Sequence, residues 1–311
     1  MNTMLFTYAL EVAESGSITH AAENLYMAQP NLSKAIKELE DQLGYQIFER
    51  SSKGMFPTKE GAEFLTYAKS VLSQIEKIKS LSAKKRSNVE LFDVSIPRGS
   101  YIAQAFTDFV SQVNMDRGID FNMQETNSVK TITTVADGTF HLGIIRYQVF
   151  HEKYFTDYIR NRKLDMESLW KFKLYLTFSK DHPLAKEDKI KQKMLTPYLE
   201  IVHGDNAVPY LNVEYMNNAG EDTQRKRIYV YERYNQFDLL ETITSSYMWA
   251  SPIPKKILEK HNLVQRSCVG VELVYRDAII YPQGYQLSLL DKRFIECVLD
   301  EQKRVAEIKF R

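Results

Sequence analysis

Gln29, Asn31, Ser33, Lys34 and Lys37 stand in a run whose intervening apolar positions, Leu25, Leu32, Ile36, Leu39 and Leu43, recur at helical steps. Three- and four-residue spacing places the apolar set on one face of a helix and the polar set on the other. Amide and hydroxyl side chains of this size can meet base edges in a major groove, and ammonium groups can meet phosphates. Pro30 has a fixed φ and no N–H to leave unpaired, so it suits the first turn and lets Gln29 project from the helix tip. Downstream, Ser52, Lys53 and Gly54 can turn a hairpin, and Arg50 and Lys53 would sit on the small basic ribbon it forms. An ordinary packed helical pair with a solvated face is the alternative for this pattern taken alone.

A second set of residues is suited to a small ligand. Arg98, Ser100 and Tyr101 follow the strand-like LFDVSIP, Asn127 and Ser128 follow FNMQET, and Arg146 and Tyr147 close HLGIIRY. His203, Asp205 and Asn206 follow LEIV, with Ser246 and Tyr247 expected opposite them. In open α/β sheets, ligands collect beyond the carboxyl ends of strands, where helix N-termini present free N–H groups. Two arginines there favour an anionic guest such as a carboxylate, because bidentate pairing is strong in a partly dry site. Structural ion pairing of Arg98 and Arg146 is the competing reading at this stage.

Other chemistry is not indicated. There is no glycine-rich phosphate loop, nucleophile elbow or metal-ligand spacing, so no catalytic residue, metal or cofactor is expected and an enzyme is disfavoured. Cys268 and Cys297 make no disulfide framework, the six histidines are scattered singly, and buried inert thiols are the expectation, with a redox pairing left open.

The elements that must position these residues are legible from periodicity. Leu5, Phe6, Ala9, Leu10, Val12 and Ala13 form a bracing helix stopped by Gly16, and Ser17 is placed to cap the helix beginning at ITHAAENL. Gly44 follows Leu43 as a left-handed cap would. From Thr58 to about Arg86, Phe64, Ala68, Val71, Ile75 and Ile78 alternate steps of four and three, a heptad seam on a helix on the order of 40 Å long. Leu65 and Leu72 widen that seam, and pairing with a second copy is the expectation, packing on its own domain the alternative. Beyond SAKKRSN, short β-rich runs alternate with helical segments such as AQAFTDFVSQV and FDLLETITSSY, which argues for open α/β sheets.

Composition bounds these readings. The 311 residues are 44% hydrophobic and 26% charged, the balance of a globular protein with room for two or three compact units. Residues 1–86 hold 11 Lys and Arg against 10 Asp and Glu, leaving 30 against 30, so bulk charge predicts no nucleic-acid partner and only the local cations, with the Lys84, Lys85, Arg86 run, support one. The first residues lack a signal-peptide pattern, and no run reaches the roughly 18 apolar residues of a membrane span. A cytoplasmic location is expected.

Residues 21–61 resemble the N-terminal domain of the LysR-type transcriptional regulators. The family's pattern is carried by Ala21 and Ala22, by Gln29 and Pro30 opening the recognition helix, by Leu39 and Glu40 closing it, by Gly44, Phe48 and Arg50 in the wing, and by Thr58 and Gly61 at the start of the next helix. Ala28 stands where the family usually has a hydroxyl residue, and Pro57 where it has leucine. Over the rest of the chain a weaker similarity to the family's effector domain rests on KFKLYLTFSKDHPLA, DGTFHLGII and YMWASPIPKKIL, with His141, Ser245 and Tyr247 departing from the usual residues. The resemblance implies a winged helix-turn-helix domain at 1–58 (helix-turn-helix about 18–37), a linker and dimerisation helix at 59–88, and an effector-binding domain at 89–311. That domain would have two α/β lobes in the manner of periplasmic binding proteins, lobe I at about 89–165 and 270–311, lobe II at about 166–269.

The function so implied is sequence-specific binding of double-stranded promoter DNA under control of a small-molecule effector. The resemblance also implies a homodimer or homotetramer that bends DNA and contacts RNA polymerase. A ligand-independent architectural DNA-binding protein is the alternative, and an enzyme with a DNA-binding appendage a weaker one.

Overall fold

The computed structural model describes residues 2–51, 54–84, 89–204, 226–231 and 236–308. Lys53, Asp205, Asn206, Lys85 and Arg86 lie outside the described residues, as does the side chain of Arg50. Two compact units are present, residues 1–88 with 137–139, and residues 89–136 with 140–311.

In the first unit, α1 (Thr3–Ser15) opens on Asn2, whose side chain accepts from the Met4 N–H, and ends at Gly16 with φ 63°. The hydroxyl of Ser17 accepts from the His20 N–H and starts α2 (Ile18–Asn24). Pro30 occupies the first turn of α3 (Gln29–Leu43), and Gly44, at φ 79°, returns its N–H to the Glu40 carbonyl to close it. The helix ends where the last apolar step, Leu43, and the glycine after it mark the end in the sequence. An antiparallel pair follows, β1 (Phe48–Ser51) and β2 (Gly54–Pro57). It leads into α4 (Lys59–Lys84), one helix of 26 residues.

Leu5, Phe6, Ala9, Leu32, Ile36 and Leu39 share one core with Ile47, Phe64, Leu65 and Ala68, and the Phe6 and Phe64 rings meet edge-on at 5.4 Å. That contact corrects part of the heptad reading. Phe64 and Ala68 are buried inside their own domain, whereas Val71 is 41% and Ile78 63% exposed and Ile75 half-buried. Of the expected dimer-helix residues, Val71, Ile75 and Ile78 are therefore the ones left at least partly accessible.

In the second unit, β3 (Val89–Ile96) is followed by α5 (Ser100–Ser111), β4 (Gly118–Glu125), α6 (Ser128–Ala136), β5 (Leu142–Gln148), α7 (Glu152–Arg160) and β6 (Leu164–Lys173). The chain then crosses to a second sheet through β7 (Tyr175–Ser179), β8 (Ile190–Lys191), β9 (Leu199–His203) and β10 (Lys226–Val230). There follow α8 (Gln236–Thr242), β11 (Ser246–Ala250), α9 (Lys255–Lys260), β12 (Leu263–Arg266) and β13 (Cys268–Val269). It returns through β14 (Val274–Pro282) and closes with α10 (Leu289–Ala306).

The first sheet has the order β4-β3-β5-β14-β6, with β3 parallel to β4 and β5, and β14 antiparallel to β5 and β6. The second has the order β10-β9-β11-β7-β12. β6 pairs with β14 as far as Lys173, so the crossing to lobe II comes at Leu174, later than the boundary expected near 166. Separate apolar clusters fill both faces of each sheet. One is an aromatic stack of Phe92, Phe106, Phe109, Phe121 and Phe294 beneath α5 and α10, which is the burial expected of strands covered on two sides. The fold is a winged helix-turn-helix, a long helix and a two-lobed α/β domain.

Candidate nucleic-acid interface and interlobe site

Along α3, Leu32, Ile36 and Leu39 are buried, while Gln29, Pro30, Asn31, Lys34 and Lys37 are exposed and Ser33 is half-buried. The polar edge thus faces outward. Lys34 and Lys37 border a shallow depression whose far side is Glu38, Asp41 and Gln42. Carboxylates there would be repelled by a phosphate backbone, so the N-terminal half of the helix is the part able to approach DNA.

Side chains fix the parts around it. Glu40 Oε1 accepts from the backbone N–H groups of Ile47 and Phe48 at 2.7 and 3.1 Å, tying the wing to the end of α3. Thr58 Oγ1 donates to the Gln46 carbonyl at 2.7 Å and accepts from the Gly61 N–H at 2.9 Å, capping α4. At Gly61 any Cβ would lie 1.9 Å from the Ile47 carbonyl oxygen, so wing backbone rests directly on the helix. The turn before α3 holds a residue that sequence reasoning missed: Tyr26 is left-handed at φ 51° and 98% exposed. Its place between two helices was the available signal, since such a turn demands one left-handed residue.

The expected ligand residues divide by what their side chains already do. Ser128 Oγ donates to the Arg146 carbonyl at 2.6 Å and accepts from the Arg146 N–H at 2.9 Å, and Asn127 accepts from the Lys130 N–H to cap α6. Tyr147 is buried on the opposite face of β5 from Arg146, stacked on Phe155 at 5.0 Å. Ser246 is buried and donates to the Ile243 carbonyl, and Tyr247 lies in a lobe II core. Ser100 is buried at the start of α5, His203 is half-buried at the end of β9, and Arg98, also half-buried, is engaged.

Arg146 and Tyr101 converge on a residue the sequence reading did not single out. Asp277 on β14 is fully buried; its carboxylate accepts from Arg146 Nε and Nη2, each at 2.7 Å, and from the Tyr101 hydroxyl at 2.5 Å. Arg146 Nη1 donates to Ser251 Oγ at 3.0 Å, and the guanidinium sits 4.8 Å over the Phe172 ring. Burial works against the Arg146 charge, but the Asp277 carboxylate outweighs it and holds the guanidinium protonated. Burial first, and Asp277 next, push the Tyr101 phenol well above its ordinary range. Expecting Arg146 to wait with an open fork for an anion is thereby corrected.

The network continues into lobe II. Gln265 Nε2 donates to the Ser251 carbonyl at 3.0 Å and to Thr177 Oγ1 at 2.9 Å, and Gln265 Oε1 accepts from the Ile253 N–H. A carboxylate inside the apolar run of VYRDAIIYP was the one sequence signal for this site, because a buried charge demands a partner.

Elsewhere, His141 donates its backbone N–H to Asp93 on β3 at 2.7 Å and pairs with it through Nδ1 at 2.9 Å. Cys268 and Cys297 pack in different cores, and burial pushes both thiols up. Among the described residues one cluster could offer three metal-ligand atoms, Asp238, Glu241 and His261; the imidazole faces both carboxylates at 3.7 Å. No described helix is long and apolar enough to cross a membrane.

Comparison with known proteins agrees with this arrangement. Residues 5–62 match the bacterial regulatory helix-turn-helix protein, lysR family. The chain is 26% identical over 262 residues to a probable RuBisCO transcriptional regulator of Thalassiosira pseudonana, an alignment covering 80% of each. It is 44% identical over 77 residues to the HTH-type transcriptional regulator BsdA of Bacillus subtilis, covering 24% of this chain and 27% of the relative. Among solved structures, full-length CbnR complexed with its target DNA superposes with a TM-score of 0.63 at 17% identity, covering 97% of this chain and all of that one (100%). At that identity the likeness speaks for the fold.

Proposed function

The chain belongs to the LysR-type transcriptional regulators, and from that premise we propose which residues read DNA and how a small molecule controls them. Gln29 and Asn31 read base edges in a major groove, Pro30 sets the helix tip, and Ser33, Lys34, Lys37, Arg50 and Lys53 hold phosphates on either side. The carrying observation is the division of α3, polar residues outward and Leu32, Ile36 and Leu39 inward.

An effector binds between the two lobes of residues 89–308, near the starts of α5 and α6 that Ser100, Asn127 and Ser128 occupy. Two copies associate through the outer part of α4, giving two recognition helices for a two-fold related site, and a further pairing makes a tetramer. The protein works in the cytoplasm, where its assembly contacts RNA polymerase at a promoter. A guest couples to DNA only through its differential affinity for two arrangements, and ~1–3 kcal/mol of coupling changes DNA affinity from several-fold to about a hundredfold.

The test is titration against genomic fragments enriched by the protein itself, with random duplex as reference. A regulator prefers its own sites by on the order of 10³-fold or more. Gln29→Ala is expected to lower that preference by roughly 5- to 100-fold, the scale of one bidentate base contact. Lys34→Ala is expected to weaken binding to all sequences and reduce the salt slope by about one. Uniform affinity for every duplex would instead mark an architectural protein, and full discrimination by Gln29→Ala would remove it as a base reader.

A further inference from the structure

We propose that the Asp277 carboxylate is a built-in occupant of the anion seat on Arg146, so that the interlobe site excludes carboxylate guests and takes an uncharged one. This deepens the effector reading above and rests on it. The fork of Arg146 is spent on Asp277 through Nε and Nη2, and its remaining nitrogen is directed at Ser251 Oγ and, at 3.4 Å, at the Arg98 carbonyl. The two oxygens of Asp277 are equally committed, Oδ1 to Arg146 and Oδ2 to both Arg146 and Tyr101.

Asp277 and Tyr101 are fully enclosed and the Arg146 side chain is only 13% exposed, so the Arg146–Asp277 pair is a zero-charge unit held in a largely dry setting. An arriving carboxylate would sit beside a carboxylate already in place, and like charges at that range disfavour each other. An arriving cation would find Asp277 already neutralised. Beside this pair either ion would be stripped of water without gaining an unmatched counter-charge from Arg146 or Asp277, a cost that an uncharged molecule avoids. The surroundings agree: the guanidinium is over the Phe172 ring, Phe172 packs 4.9 Å from Trp170, and Trp170 meets Tyr101 edge-on at 5.2 Å.

Removing the built-in carboxylate tests the seat with the intact chain. Asp277→Ala is expected to melt below the wild type and to be restabilised by sodium formate or acetate relative to sodium chloride at equal ionic strength. The same shift in the wild type should require at least about tenfold more carboxylate. Adding Arg146→Gln to Asp277→Ala should abolish the rescue. The proposal is overturned if folded Asp277→Ala ignores both carboxylates, or if wild-type protein gains stability from acetate over chloride and Arg146→Gln loses that gain. Should Asp277→Ala fail to fold, the wild-type arm decides alone: indifference to acetate upholds the proposal and acetate-specific stabilisation sinks it. Rescue reads the seat without any effector, so success there with no small molecule changing DNA affinity would mean that the effector reading had failed rather than the seat.

Discussion

His182 shows how one buried side chain writes a pH dependence into the whole domain. Its ring is almost fully enclosed, packed 4.6 Å from Phe178 and 4.4 Å from Tyr198, and Nδ1 accepts from the Leu184 N–H at 3.0 Å. Burial lowers its pKa to about 4 from the ordinary 6.5. The folded state therefore binds fewer protons than the unfolded chain between those values, and stability is intact above about 6.5 and declines as pH falls toward 4. The drop should be about 3 kcal/mol across that window, the free-energy equivalent of the shift. His182→Asn retains an acceptor for the Leu184 N–H and cannot titrate there. Denaturant melts at a series of pH values should show a flatter profile for that variant; an unchanged slope would assign the dependence to other groups.

At the scale of elements, the wing and the long helix are joined where a side chain is missing. Replacing Gly61 with alanine should improve helix propensity by about 1 kcal/mol in isolation. Here, however, the added methyl would enter the Ile47 carbonyl, which is backbone and cannot swing aside. A net loss of about 2–4 kcal/mol is expected, together with weaker DNA binding as β1 and β2 are pushed off α4. Equilibrium unfolding and a DNA titration on the same variant would check both.

This junction also separates what could be read from the chain alone. Caps at Ser17 and Gly44 and the stripe of Leu32, Ile36 and Leu39 are local patterns, written within a few turns of each other, and they were legible; the Thr58 cap was not singled out. Heptad spacing along α4 was legible too, but periodicity says only that a face is apolar. The same steps serve the domain's own core at Phe64 and Ala68 and open surface at Val71 and Ile78. Asp277 was hidden for a different reason: its partner Arg146 lies 131 residues away, and only the sheet order brings β5 beside β14.

For the whole molecule, association is the property that the exposed part of α4 governs. Ile78→Glu places a charge on a side chain already mostly in water, so the fold of one chain should be unaffected within about 0.5 kcal/mol. A charge in the seam should nevertheless disfavour pairing. Sedimentation at micromolar concentration is expected to show the wild type as a dimer or larger and Ile78→Glu shifted toward monomer, with binding to a two-fold site falling more than binding to a half-site. A wild-type monomer at that concentration would rule out the proposed pairing.

One consequence of the strand order concerns how such a chain comes into being. β14 inserts between β5 and β6, and α10 completes the packing under Phe92 and Phe109. Until the ribosome has released the residues beyond 282, lobe I has two unzipped edges and an uncovered aromatic floor, while lobe II can already close on itself. Synthesis therefore passes through a stage with one finished lobe and one gaping one, in which sticky strand edges invite clumping and chaperone capture. Closing it requires contacts far apart along the polypeptide, the kind that form slowly in general.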